Sequence, residues 1–133
     1  MPESRFANGN IHPGRFVKLD SSTAGGKVLE CAGTTVPIFG IAQMATRNAP
    51  YPLLDDGYAA IASEDLLVYT FSDKEVWLEI GSGGCNPGDR LTSDGTGAGI
   101  ATTSTGNWVG AVAKQQGAQG DLVPVDVVPS YQY

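Results

Sequence analysis

The chain has 133 residues, 18 of them glycine and eight proline, and a net charge of −6. That is the length of one domain, enough to bury a core without disulfides or metals. The acidic balance disfavours a phosphate-backbone binder, and no segment approaches the roughly 18 apolar residues of a membrane span, so neither nucleic acid nor membrane is expected as a partner. The charge is uneven: residues 1–50 hold five Lys or Arg against three Asp or Glu, and residues 51–133 hold three against eleven. Short apolar runs set between glycines and prolines favour an all-β class. The expected architecture is a single small β-barrel or sandwich domain, 15–133, behind an extended N-terminal arm, 1–14.

The arm is polar and contains Asn8-Gly9-Asn10 and His12-Pro13-Gly14. It is expected to lie outside the core. Arg5-Phe6 places one large aromatic in it, either as an anchor for a partner or tucked back on its own domain. Arg15 to Leu19 reads as the first strand, closed by the turn-rich residues 20–26. Lys27 to Ala32 reads as the second. Pro37 to Ala42 is the third, with proline at its first residue, where a missing N–H is tolerated. Residues 43–58 form a long loop around Ala49-Pro50-Tyr51-Pro52, because each proline pushes its predecessor out of the helical region. Residues 54–62 could hold a short helix or only turns.

Leu66 to Phe71 is a strand, and Ser72-Asp73-Lys74 turns it into Glu75 to Ile80. There Val76, Leu78 and Ile80 face inward, and Glu75, Trp77 and Glu79 face out. An outward Trp77 suits a subunit contact, where tryptophan is enriched. Asn86-Pro87-Gly88-Asp89 is a turn, with glycine where a type II turn needs positive φ. Arg90 to Ser93 then runs as a strand until Asp94-Gly95 ends it. Trp108 to Ala113 is apolar at nearly every position, as in a strand covered on both faces. In the last run Val123, Val125 and Val127 point one way and Asp126 the other. No internal repeat is visible.

No chemistry assembles along the chain. The one histidine, His12, lies beside a proline in the arm, so a Ser-His-Asp or Cys-His site is not expected. Cys31 and Cys85 form no C-x-x-C pair, so neither a zinc site nor a redox motif is expected, and one disulfide stays open. The glycine clusters 81–84 and 95–99 lack the helix whose N-terminus would hold a phosphate. Neither enzyme activity nor a cofactor is expected, and no basic start precedes an apolar run, so a signal peptide is not expected. The chain reads as made in a reducing cytoplasm, with no disulfide required.

Several runs together resemble the small head-decoration, or capsid cement, proteins of tailed bacteriophages. They are Arg5-Phe6, Pro13-Gly14-Arg15-Phe16-Val17-Lys18-Leu19, Pro37-Ile38-Phe39-Gly40-Ile41-Ala42-Gln43 with Arg47-Asn48-Ala49-Pro50, Pro87-Gly88-Asp89-Arg90-Leu91-Thr92-Ser93-Asp94, Val109-Gly110-Ala111-Val112-Ala113 and Gly120-Asp121-Leu122-Val123-Pro124-Val125. The resemblance spans about Arg5 to Val128. It departs at Cys85, where alanine or threonine would be ordinary, and at the bulky Trp77 and Trp108. It implies a virion protein, made in the host cytoplasm, that binds the outside of an icosahedral shell as a homotrimer and braces it against internal DNA pressure. Its partners would be the major capsid protein and copies of itself. Arg5, Phe6 and Arg15 are the candidates for capsid contact, and Trp77 for subunit contact. Two other readings stand beside it. One is a carbohydrate-binding β-module that uses Trp77 or Trp108 as a stacking platform. The other is a biotinyl or lipoyl barrel, which the absence of lysine from Ser93-Asp94-Gly95-Thr96 argues against.

Overall fold

The alternation of apolar and polar residues that marks the strands in sequence also sorts them into two layers. The computed structural model describes residues 3–19, 27–34, 37–42, 65–70, 73–102 and 106–131. Ten strands run through them: β1 (Glu3–Phe6), β2 (Phe16–Leu19), β3 (Val28–Glu30), β4 (Gly40–Ala42), β5 (Asp65–Tyr69), β6 (Val76–Glu79), β7 (Arg90–Ser93), β8 (Gly99–Ala101), β9 (Trp108–Ala113) and β10 (Leu122–Tyr131). Among the described residues there is no helix. The expected loop 43–58 and the candidate helix 54–62 lie outside the described residues.

The strands make two five-stranded antiparallel sheets, ordered β1-β5-β4-β2-β3 and β6-β10-β9-β7-β8. Each half of the chain builds one sheet. No strand of one sheet pairs with a strand of the other among the described residues, so the architecture is a two-sheet sandwich and not a closed barrel. The inward residues of β6 are those that alternation assigns: Val76, Leu78 and Ile80 are buried and Trp77 is exposed. Val123, Val125 and Val127 on β10 are buried with them. Glu75, expected in the strand, sits before it with φ of 56°, a left-handed conformation that lets the chain leave the Asp73 turn.

The two sheets have the same topology, which corrects the expectation of no internal repeat. Subtracting five from each label of the second order reproduces the first. The registers agree rung by rung. Phe16 pairs with Ile41 and Val17 with Gly40, as Arg90 pairs with Val112 and Leu91 with Ala111. Val17 pairs with Glu30, as Leu91 pairs with Ala101. Phe6 pairs with Asp65, as Glu79 pairs with Leu122. Irregular contacts repeat too. An isolated parallel bridge joins Ala7 to Val28, and its twin joins Ile80 to Gly99. The Gly14 N–H donates to the Ala42 carbonyl at 2.8 Å, as Gly88 does to Ala113 at 2.8 Å. The Ala42 N–H donates to Arg15 O, as Ala113 does to Asp89 O, each at 2.9 Å.

The repeat explains the arm. In the first unit Ala7 and Ile11 take the places of Ile80 and Cys85, and all four are buried. Ala7 and Ile11 pack with Val17, Val28, Ala42 and Val68 in a small core of their own. The expectation that 1–14 lies outside the core is therefore corrected: β1 is a strand of the first sheet, and the segment after it closes that sheet. Sequence reasoning missed this because only two isolated apolar side chains in a polar stretch, Ala7 and Ile11, carry the burial.

Candidate interaction surface

The two units meet at a joint built by the Pro-Gly turn before β2. Gly14, with φ of 73°, presents its carbonyl to the Glu79 N–H at 2.7 Å. Arg15 follows it and reaches across: one guanidinium nitrogen donates to the Thr96 carbonyl at 2.8 Å, and the other pairs with Glu79 Oε2 at 3.0 Å. The Phe16 N–H donates to Gly97 O and the Trp108 N–H to Thr34 O, both at 2.8 Å. Side chains close the rest. A methyl group at Gly110 would stand 2.5 Å from the Phe16 ring and 2.9 Å from Ile38, so β9 accepts these two side chains only because that position has none.

Arg15 thus serves the joint. Its side chain is 14% exposed and already paired, which leaves little of it to meet a partner. The other candidates lie at the surface. The Arg5 guanidinium carbon sits 5.1 Å from the centre of the Phe39 ring, a cation–π contact. Phe6 is 52% exposed on the edge strand β1. Trp77 is 51% exposed and shares its face with Leu122, 52% exposed, and with Pro124, which pairs with Trp77. Leu122 was not singled out from the sequence, although its alternation with Val123 and Val125 puts it on the outward side.

The groups tested for chemistry are engaged otherwise. His12 Nδ1 lies 2.8 Å from Glu30 Oε2, which also accepts the His12 backbone N–H at 2.6 Å. This pair ties the segment before β2 to β3. Cys31 and Cys85 are both buried and both free. Burial pushes the Cys31 thiol up to about 12, with Lys18 opposing the shift, and burial likewise raises Cys85. Neutral thiols of this kind are poor nucleophiles and poor ligands. Among the described residues no three His, Cys, Asp or Glu side chains are grouped to hold a metal ion. The turn residues do structural work: Asp94 Oδ1 accepts from the Thr96 N–H and hydroxyl and from the Ala98 N–H, closing the β7–β8 hairpin.

Fold and surface together define a two-sheet antiparallel sandwich made of a repeated five-stranded unit, with half-exposed aromatics on its edge strands. No protein-family model matches the chain, and no curated protein does. Among solved structures it is similar to the N base of head fiber gp8.5 of bacteriophage phi29, with a TM-score of 0.59 and 16% identity over 100% of this chain and 98% of that one. At that identity the likeness is one of fold.

Proposed function

We propose that the chain is a structural protein of a tailed-phage virion that binds the outer surface of an icosahedral capsid, stabilises it against DNA pressure and acts as a trimer, without enzymatic activity. One observation carries the reading: the fold is shared end to end with the base of a phage head fiber. The surface fits it. Arg5, stacked on Phe39, is the residue we place against the major capsid protein. Phe6 and Trp77 are half-exposed aromatics of the kind that subunit contacts bury. Many weak contacts repeated around one shell add by avidity, and a ligand that binds only the assembled shell shifts it away from rupture.

The test is cosedimentation of the purified protein with undecorated shells. Saturable binding is expected, with Arg5→Glu weakening it about tenfold, or roughly 1.4 kcal/mol. Absence of binding to the shells of the phage that encodes it would overturn the reading. A point variant serves better than deletion of residues 2–14, which would remove the buried Ala7 and Ile11. Exposed Trp77 supports a second reading, a carbohydrate-binding module, and saturable glycan binding abolished by Trp77→Ala would favour it.

A further inference from the structure

The joint inside the chain uses half of what the repeat makes available. In the first unit the Pro13-Gly14 turn is seated on the second unit. A methyl group at Gly14 would stand 3.0 Å from Leu122 Cδ2, 3.5 Å from Glu79 N and 3.6 Å from Trp77 O. The second unit carries the same turn, Pro87-Gly88, with φ of 88° at the glycine. There it stands in the open: Asn86, Pro87 and Gly88 are exposed, and a methyl group at Gly88 meets nothing within 4 Å.

The receiver is duplicated as well. Glu79, whose N–H takes the Gly14 carbonyl, corresponds in register to Phe6 on β1. The two N–H groups point the same way. Asn8 sends its N–H to Val28 O, away from β5, as Gly81 sends its own to Gly99 O, away from β10. Alternation along a strand repeats that direction two residues earlier, at Phe6 and at Glu79. β1 is the edge of its sheet, and the Phe6 side chain is half exposed. One turn and one receiver are therefore left over, on different units, and they match.

We propose that the Pro87-Gly88 turn of one copy seats on the Phe6 edge of a second copy of this chain, repeating between chains the joint that Gly14 and Glu79 make within one. The inference rests on the self-association in the proposed function and names its contact. The Gly88 carbonyl accepts the Phe6 N–H of the next copy, and Pro87 covers the Phe6 ring. The contact is heterologous, so copies add head to tail and form a ring where the rotation closes. Asp89 and Phe6 stand where Arg15 and Glu79 form their ion pair, so the joint between copies lacks that pair. It is weaker than the internal one, forms between free copies in solution, and is reinforced by avidity where many copies are held close together.

The test separates this geometry from other modes of association. Phe6→Cys and Pro87→Cys are made as separate variants, and the two native thiols are buried. Treated with a short bismaleimide, the mixture is expected to give a covalent dimer several-fold faster than either variant alone. Dimers of like with like at the same rate, or no cross-linked dimer in the mixture, would overturn the proposal. In parallel, Phe6→Asp is expected to lower the mass at sedimentation equilibrium while far-UV circular dichroism stays unchanged. Association that survives Phe6→Asp would refute this joint and leave the oligomer standing. Neither measurement contains capsid, so loss of shell binding and loss of this contact are read independently.

Discussion

Phe16, Ile41 and Tyr69 lie on one rung across β2, β4 and β5, and the matching rung across β7, β9 and β10 is Arg90, Val112 and Asp126. The backbones of the two rungs pair identically. In the first unit Phe16 and Ile41 are fully buried and join the core of the second sheet. In the second unit Arg90 is exposed, and Asp126 is met by Lys114 at 3.7 Å, a partly exposed pair of small energetic worth. Side chains alone decide that one copy of the rung is core and the other surface. The comparison teaches that a hydrogen-bond ladder specifies the unit, and its outward residues specify which unit stacks on which.

The largest expected effect tests that rung. Phe16→Ala should cost about 3–5 kcal/mol, the usual range for emptying a core aromatic site, whereas Arg90→Ala should cost less than about 1 kcal/mol. Urea unfolding of the two variants measures the contrast, and similar losses would break it. The paired turns give a smaller contrast. Alanine at either glycine meets the positive φ, worth roughly 1 kcal/mol. Gly14→Ala must also push the Leu122 side chain, 3.0 Å from the added methyl, aside by a few tenths of an ångström, so its total should reach about 2 kcal/mol. Equal destabilisation at Gly88 would mean that the second turn is as enclosed as the first.

The smallest expected effect is one of pH. Cys31 occupies the joint, and its counterpart Thr102 has nothing to titrate; each N–H donates to the first residue of the adjacent strand, Phe16 and Arg90. Burial raises the Cys31 thiol from about 9 to about 12, so above pH 9 the unfolded chain releases a proton that the folded chain keeps. Its contribution to stability is complete below about pH 9 and is lost as pH rises toward 12. By pH 10 the loss should be about 1 kcal/mol. Cys31→Ala should flatten that alkaline slope in thermal unfolding. An unchanged slope would place the thiol in a more polar setting than its burial indicates.

Much of this was legible in the residues. Alternation located β6 and β10, short apolar runs between turn residues located β2, β3, β4, β5, β7 and β9, and Asn86-Pro87-Gly88-Asp89 closes as expected: Gly88 has positive φ and the Asp89 N–H donates to Asn86 O at 3.1 Å. β1 and β8 escaped notice: Glu-Ser-Arg-Phe carries one apolar residue, and Gly99-Ile100-Ala101 follows a glycine-rich turn, whereas the same Gly-Ile-Ala in β4 extends the apolar Ile38-Phe39. The repeat escaped for a related reason. Its inward pairs are Val17 with Leu91, Ala42 with Ala113, Val68 with Val125 and Ile11 with Cys85, which need only be apolar and of suitable size. Ala42–Ala113 and Val68–Val125 coincide as isolated residues, whereas Pro13-Gly14 and Pro87-Gly88 match as consecutive residues, because a backbone turn with positive φ constrains identity where a core position does not. Of the surface candidates, Phe6 and Trp77 were visible as aromatics in polar company. Arg15 could not be assigned to the joint without knowing that Glu79 lies beside it.

In each unit the first strand pairs with the last, β1 with β5 and β6 with β10. This sets an order of events on the ribosome. β1 emerges early and waits through the whole of β2, β3 and β4 for its partner, so a long loop must close before its ladder rewards the chain, which slows folding. The first sheet can complete as β5 appears, yet its Phe16–Ile41 face stays bare until β9 and β10 are made. A nascent chain paused between β5 and β6 therefore displays a finished sheet with an adhesive side, and chaperone capture during synthesis should concentrate in that interval.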